Sequence, residues 1–229
     1  GTMRAFATDS GAERQAWQVT GATDIVAGPF PCGDMVGFAT NDSRLGAVTH
    51  DRRLLTWSAG ALITSPVVPA GGGLVCYTTS RKKLIGWSLP RGAQAWARDF
   101  PAGAAIKGVC SGRMVILMSE DDTVRAYAAE TGAPGWELRA ARSATMAAGE
   151  DVVLFFAGRD LKVLEAGAGG LAWEKSFAGD IAATLLADGE LWVSTRDKQL
   201  AAFDARSGAP HASTTLEGAV TDWKLAPYG

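Results

Sequence analysis

One phrase returns along this chain at near-constant spacing, and it restricts the fold more than any other feature. Arg4-Ala5-Phe6-Ala7-Thr8-Asp9-Ser10-Gly11-Ala12, leading to Trp17, is nearly restated as Arg125-Ala126-Tyr127-Ala128-Ala129-Glu130-Thr131-Gly132-Ala133, leading to Trp136. Further copies run from Leu84 to Trp96, from Leu161 to Trp173 and from Leu200 to Ala212, with a weaker one from Leu45 to Trp57. The tryptophan slots therefore fall at 17, 57, 96, 136, 173 and 212, in steps of 40, 39, 40, 37 and 39 residues. In five of the six copies an apolar residue opens the strand twelve positions before the slot, and the first copy carries extra residues at Glu13 to Gln15. A period of roughly forty residues is the signature of a repeat architecture, in which each unit is one supersecondary element.

The unit ending at Trp136 shows its parts most clearly. A short segment, Ile106 to Cys110, turns at Ser111-Gly112-Arg113 into a continuous apolar run, Met114 to Met118. A polar break at Ser119 to Asp122 precedes an alternating strand, Thr123 to Ala128, and a Thr131-Gly132 turn leads to the strand holding Trp136. Each segment has strand length and each break has turn chemistry, so the unit reads as four antiparallel strands, a to d. The b run, apolar at nearly every position, suits a strand covered on both faces. A four-stranded sheet cannot bury both faces alone, and successive sheets stacked face to face solve that problem. The expectation is an all-β β-propeller. The alternative, a sandwich whose tryptophans are unrelated core residues, gives no reason for Gly-x-x-x-Trp to recur in one register.

These residues resemble the quinoprotein-like (PQQ-type) β-propeller family, whose blades carry an aromatic, an acidic residue, Thr or Ser, Gly and then Trp. The matching positions are Tyr127, Glu130, Thr131, Gly132 and Trp136; Phe203, Asp204, Ser207 and Gly208; and Phe6, Asp9, Ser10, Gly11 and Trp17. The resemblance covers essentially the whole chain. It implies that Trp17, Trp57, Trp96, Trp136 and Trp173 lock neighbouring blades together, and that the blade holding Ala212 is the least tightly docked. The superfamily spans quinone-dependent dehydrogenases, an outer-membrane assembly lipoprotein and sensor domains of bacterial kinases, so it does not select an activity.

Counting units gives five complete blades, with the N-terminus opening on strand c of another and Gly218 to Leu225 resembling its strand a. The expectation is one domain over residues 1–229, six blades, and a closing blade shared by the two termini. That closing blade lacks a recognisable strand b, which leaves open a fragment of a larger propeller of seven or eight blades. The start, Gly1-Thr2-Met3, reads as a tag remnant over residues 1–2.

A vicinal Cys-Cys pair is expected of the dehydrogenases, and Cys32, Cys76 and Cys110 stand far apart, so no quinone cofactor is expected. Neither that spacing nor the two histidines, His50 and His211, supplies a zinc site or a Ser-His-Asp set, and all three cysteines read as small buried hydrophobes. A calcium site drawn from Glu120-Asp121-Asp122, Asp42, Asp160 and Asp197 competes with the ordinary preference of Asp for turns, and the turn reading prevails. No catalytic residue, metal or cofactor is assigned.

With 22 basic against 24 acidic residues and a net charge of -2, there is no electrostatic footprint for nucleic acid. No run approaches the about eighteen apolar residues that a membrane-spanning helix needs. The lack of a disulfide framework and of a visible signal peptide favours the cytoplasm, with the native N-terminus and hence the compartment left open. Propeller topology brings the b-to-c turns to one face. That face carries Arg81, Lys82 and Lys83; Glu120, Asp121 and Asp122; Arg159 and Asp160; and Arg196 and Asp197. Such a mixed charged rim suits a protein or peptide partner. The expected function is a non-catalytic bacterial scaffold or sensor. The rival is a small-molecule or hydrolytic site in the central channel, beside strand a residues such as Cys32, Cys110 and Thr184.

Overall fold

The computed structural model describes residues 1–19, 24–101 and 104–218. Among them there is no helix, and twenty-two strands follow one another in antiparallel pairs. The first pair, β1 (Thr2–Phe6) and β2 (Glu13–Gln18), forms a two-stranded sheet. Five four-stranded sheets follow. They are β3 (Ile25–Cys32), β4 (Met35–Thr40), β5 (Arg44–Val48) and β6 (Leu54–Ser58); then β7 (Val68–Pro69), β8 (Leu74–Thr79), β9 (Lys83–Ser88) and β10 (Ala93–Asp99); β11 (Ala105–Ser111), β12 (Met114–Ser119), β13 (Thr123–Ala128) and β14 (Pro134–Arg139); β15 (Thr145–Ala148), β16 (Val152–Ala157), β17 (Asp160–Glu165) and β18 (Leu171–Ser176); and β19 (Ile181–Ala187), β20 (Glu190–Thr195), β21 (Gln199–Asp204) and β22 (Pro210–Thr215). Each sheet runs a, b, c, d in chain order, the four-stranded repeat that the tryptophan period predicts. The match of Gly218 to Leu225 to a further strand a lies, beyond Gly218, outside the described residues.

The chain divides into two compact units: Gly1–Ile106 with Ala129–Ala133, and Lys107–Ala128 with the described residues from Pro134 onward. In the first, Phe30, Leu45, Val75, Tyr77, Ile85 and Leu89 build a core between the second and third sheets. In the second, Leu154, Leu161, Val163, Leu191, Val193 and Phe203 do the same for the last two. The b strands supply the deepest residues, as in β12, where Val115, Ile116, Leu117 and Met118 are all fully buried. The d strands lie outermost, and all six residues of β22, the strand whose slot holds Ala212, are exposed.

Strand a of the third sheet is reduced to Val68–Pro69 because the chain before it holds Pro66, which has no N–H to give a ladder. Ser65 Oγ stands in for a backbone acceptor there, taking the Thr78 N–H at 2.8 Å. Tyr77, on the neighbouring β8, is fully buried, and its hydroxyl has no hydrogen-bond partner among the described residues. Burial accordingly pushes its phenol well above the ordinary range. Replacing Tyr77→Phe removes a desolvated, unpaired polar atom, and a gain of about 1 kcal/mol is expected, read as a higher urea midpoint at unchanged slope.

Each tryptophan slot meets the c-to-d turn of the following sheet. Trp96 Nε1 donates to Ala129 O at 2.9 Å, Trp136 Nε1 to Ala166 O at 2.7 Å, and Trp173 Nε1 to Ala205 O at 3.0 Å. Three residues after each acceptor stands a left-handed glycine, Gly132, Gly169 or Gly208, whose absent Cβ would collide with the indole at 2.4, 2.5 and 2.6 Å. Trp57 lies over Gly92 in the same way, at 2.1 Å. Trp17 Nε1 donates to Arg52 O at 2.8 Å, at a turn where the left-handed residue is Arg52 itself. Gly92, Gly132, Gly169 and Gly208 thus have two duties: each turns its own hairpin, and each is the seat for the previous sheet's ring.

Candidate functional site

The b-to-c turns share one construction. The last residue of strand b accepts the turn-closing bond: Ser43 N–H to Thr40 O at 3.0 Å, Lys82 to Thr79 at 2.9 Å, Asp122 to Ser119 at 3.2 Å and Lys198 to Thr195 at 3.0 Å. The donor residue adopts a positive φ, 62° at Ser43, 54° at Lys82, 58° at Asp122 and 69° at Lys198, where only the corresponding turn of the fourth four-stranded sheet uses glycine, Gly158. The chain leaving strand d then fastens each turn, through Ala59 N–H to Ser43 O, Phe100 to Lys82, Ala140 to Asp122, Phe177 to Arg159 and Leu216 to Lys198, all between 2.7 and 3.0 Å. Backbone groups that would otherwise face water are satisfied inside the turn, so its position is fixed by the sheet and its side chains are what it offers outward.

In the first unit, Arg81 and Lys82 are exposed, with no ion-pair partner among the described residues, while Lys83 is held by Asp99 of its own sheet at 2.6 Å. In the second unit the dense acidic turn is largely neutralised from within. Arg125 Nη2 meets Asp121 at 2.8 Å, Arg125 Nε reaches Glu137 at 3.4 Å, Arg142 Nε reaches Asp122 at 3.2 Å, and Arg142 Nη2 donates to Glu120 O. The bonded Arg125 guanidinium holds the Asp121 carboxyl below the usual carboxylate range. That pairing therefore persists through neutral and mildly acid solution and is lost only as pH falls below that range. Asp160 accepts from Ser176 Oγ at 2.5 Å, and Asp197 accepts from Thr195 Oγ1. Arg159 and Arg196 are exposed and carry no ion pair among the described residues.

Of the carboxylates weighed as calcium ligands, Asp121 and Asp122 are bound to Arg125 and Arg142, and Asp42, Asp160 and Asp197 to the hydroxyls of Thr40, Ser176 and Thr195. No group of three or more His, Cys, Asp or Glu side chains gathers in metal-binding geometry among the described residues. Cys32 and Cys76 are buried, whereas Cys110 is only half-buried, a departure from the expectation that all three lie inside. Burial alone lifts the Cys32 thiol to about 11 and raises that of Cys110, so neither is a thiolate nucleophile at neutral pH. His211, on β22, faces Glu190 at the start of β20 across 3.0 Å.

Sequence reasoning found the turns but not their neutralising partners. Arg142 lies beyond strand d, twenty residues after Asp122, and no local pattern ties the two. It also missed an apolar groove in the second unit between β14 and the β16–β17 hairpin, lined by Leu138, Ala144, Phe155, Phe156, Leu164 and Leu171 among others. The exposed Leu171, two places before the Trp173 slot, was the one visible sign of it.

A family profile described as outer membrane protein assembly factor BamB matches this sequence over residues 1–162 and again over 121–211. Among solved structures, that of BamB from Moraxella catarrhalis superposes with a TM-score of 0.62 at 20% sequence identity, over 87% of this chain and 66% of that one. The chain thus spans just under two thirds of that protein's length, and the likeness shows the β-propeller fold. No curated protein matches.

Proposed function

We propose that this chain, which belongs to the outer membrane protein assembly factor BamB family of PQQ-repeat β-propellers, is a non-catalytic protein-binding platform serving outer-membrane protein assembly. The observation that carries the reading is the construction of the b-to-c turns. Each is closed and fastened through its own backbone, and the exposed cations Arg81, Lys82, Arg159 and Arg196 are left without internal partners among the described residues. Preformed positions with unspent charge are what a docking surface needs, because ordering costs are met at folding and complementary charge sets approach and orientation. The carboxylates of Asp121, Asp122 and Asp160 are engaged by Arg125, Arg142 and Ser176. A work site at the outer membrane would set aside the cytoplasmic expectation.

The test is capture of protein from a detergent-solubilised bacterial outer-membrane extract, with the chain as bait. The double variant Arg81→Glu/Lys82→Glu, both sites being exposed, should keep the wild-type melting temperature. It is expected to lose most of its partner at low salt, the difference narrowing as salt screens the contact. Equal capture by both baits at every salt concentration would rule out this part of the face as the docking surface.

A further inference from the structure

Within the second unit, the groove between β14 and the β16–β17 hairpin encloses about 440 Å³, the size of a small-ligand site. Its lining is mostly alanine and large apolar residues, and it runs beside β17 from Asp160 to Leu164. Five strand residues span about 13 Å, the reach of four extended residues of another chain. Ala140 and Ala141 of the connection after β14, and Ala157 and Asp160 on either side of a b-to-c turn, are among its lining, so the groove reaches the candidate face. Leu171, a large apolar residue left 55% exposed, stands on its rim.

The internal repeat supplies a comparison. Aligning the slots of Trp136 and Trp173 places Lys175 where Leu138 stands and Phe177 where Ala140 stands. In the corresponding groove one sheet later, the Lys175 ammonium lies over the rings of Phe203 and Phe177, at 5.3 and 5.8 Å, and Gln199 and His211 join the lining. There the chain spreads its own cation across the apolar floor. In the earlier seam Leu138 and Ala140 leave that floor open. Charged groups on the open groove's lining are Arg139, Lys162 and Asp160. Asp160 is bonded to Ser176, Lys162 is drawn to Glu174 at 3.6 Å, and Arg139 has no ion pair among the described residues.

We propose that this groove is a docking slot for an extended segment of a protein partner that carries two adjacent large apolar side chains flanked by a carboxylate. The apolar pair covers Phe156, Leu164 and Leu171, and the carboxylate meets Arg139. The slot rests on the platform reading and gives it a chemistry: the partner presents a short acidic-apolar strand, not merely a charged surface.

The probe is an acetylated, amidated Asp-Leu-Phe-Asp tetrapeptide titrated into the ¹⁵N-labelled chain and followed by amide chemical shifts. Saturable shifts confined to Leu138–Ala144, Phe155–Lys162 and Leu171 are expected, with at least tenfold weaker binding to Leu171→Glu. Arg139→Glu should weaken the peptide up to about fivefold, as an exposed charge contact does, and a Lys-Leu-Phe-Lys peptide should not suffer that loss. Ala141→Phe, which fills the mouth from an exposed position, provides a second block should Leu171→Glu fail to fold. Equal shifts with an Asp-Ser-Ser-Asp peptide, shifts elsewhere, or no saturation at millimolar peptide would overturn the slot. So would concentration-dependent shifts of the same amides without peptide, which assign the groove to a second copy of the chain. Peptide failure alongside charge-dependent capture removes the slot alone. Charge-independent capture removes the turn cluster while leaving the peptide result intact.

Discussion

Removing the ring of Trp96 is expected to lower the unfolding free energy by about 3–5 kcal/mol, the range found for large buried aromatics. Trp96 is the most deeply enclosed of the slot tryptophans, at 8% exposure, and its ring touches two sheets. On one side its indole lies against Gly86 of β9, in its own sheet, where an added Cβ would stand 2.2 Å from the ring. On the other it rests on Gly132 of the following sheet's turn and donates to Ala129 O. Trp96→Ala therefore leaves a void bounded by two glycines, neither of which has a side chain to fill it, and an acceptor that has lost its donor. Trp96→Phe keeps much of the apolar contact and loses the donor, so about 1–3 kcal/mol of the effect should remain. Trp17→Ala, at a half-exposed ring seated on Arg52, should cost clearly less. Urea denaturation of the four proteins checks the order. A Trp96→Ala protein within 1 kcal/mol of wild type would show that the slot is decoration on sheets held by their aliphatic cores.

The placement of these tryptophans was open to reading because it is periodic. A ring needed once per sheet, at the same place in each d strand, leaves a spacing that survives in sequence even where its neighbours vary. The b runs are legible for a related reason: Val115 to Met118 is buried on both faces, and apolarity unbroken over a strand's length is what cover on both faces requires. Strand a of the third sheet was not legible, because Ser65 and Pro66 replace ladder hydrogen bonds with a side-chain bond that no alternation pattern encodes. The charges show the same division. Arg81 and Lys82 keep outward what their sequence displays, whereas the acidity of Glu120 to Asp122 is cancelled by Arg125 and by Arg142, which comes from the other side of strand d. The groove is still less visible, since its lining includes alanines drawn from a connection and from a strand end, and alanine there carries no signal of what surrounds it.

Gly132→Ala tests whether ring and turn act as one unit. The residue sits at φ 67°, a conformation in which an L side chain costs about 1–2 kcal/mol, and its new Cβ would stand 2.4 Å from the Trp96 ring. Overpacking of an enclosed ring adds about 1–3 kcal/mol, so a total loss near 3 kcal/mol is expected. The backbone part is intrinsic to the turn, but the steric part exists only while the indole is present. In the Trp96→Ala/Gly132→Ala double variant that part vanishes, and the new methyl fills a little of the void. The double loss should then fall short of the sum of the single losses by about 1–3 kcal/mol, the range for residues in direct contact. Gly11→Ala is the matching control. It has a similar φ of 66° and nothing within 4 Å of its added Cβ, so it should show the backbone part alone, about 1–2 kcal/mol. Strict additivity at Trp96 and Gly132, with a Gly132→Ala loss no larger than that of Gly11→Ala, would mean that the seat yields and the ring does not lock it. Coupling of the stated size would make each Gly-x-x-x-Trp phrase half of a joint completed by the next copy, and would give a physical reason for a period that holds near 39 residues while the sequence around it drifts.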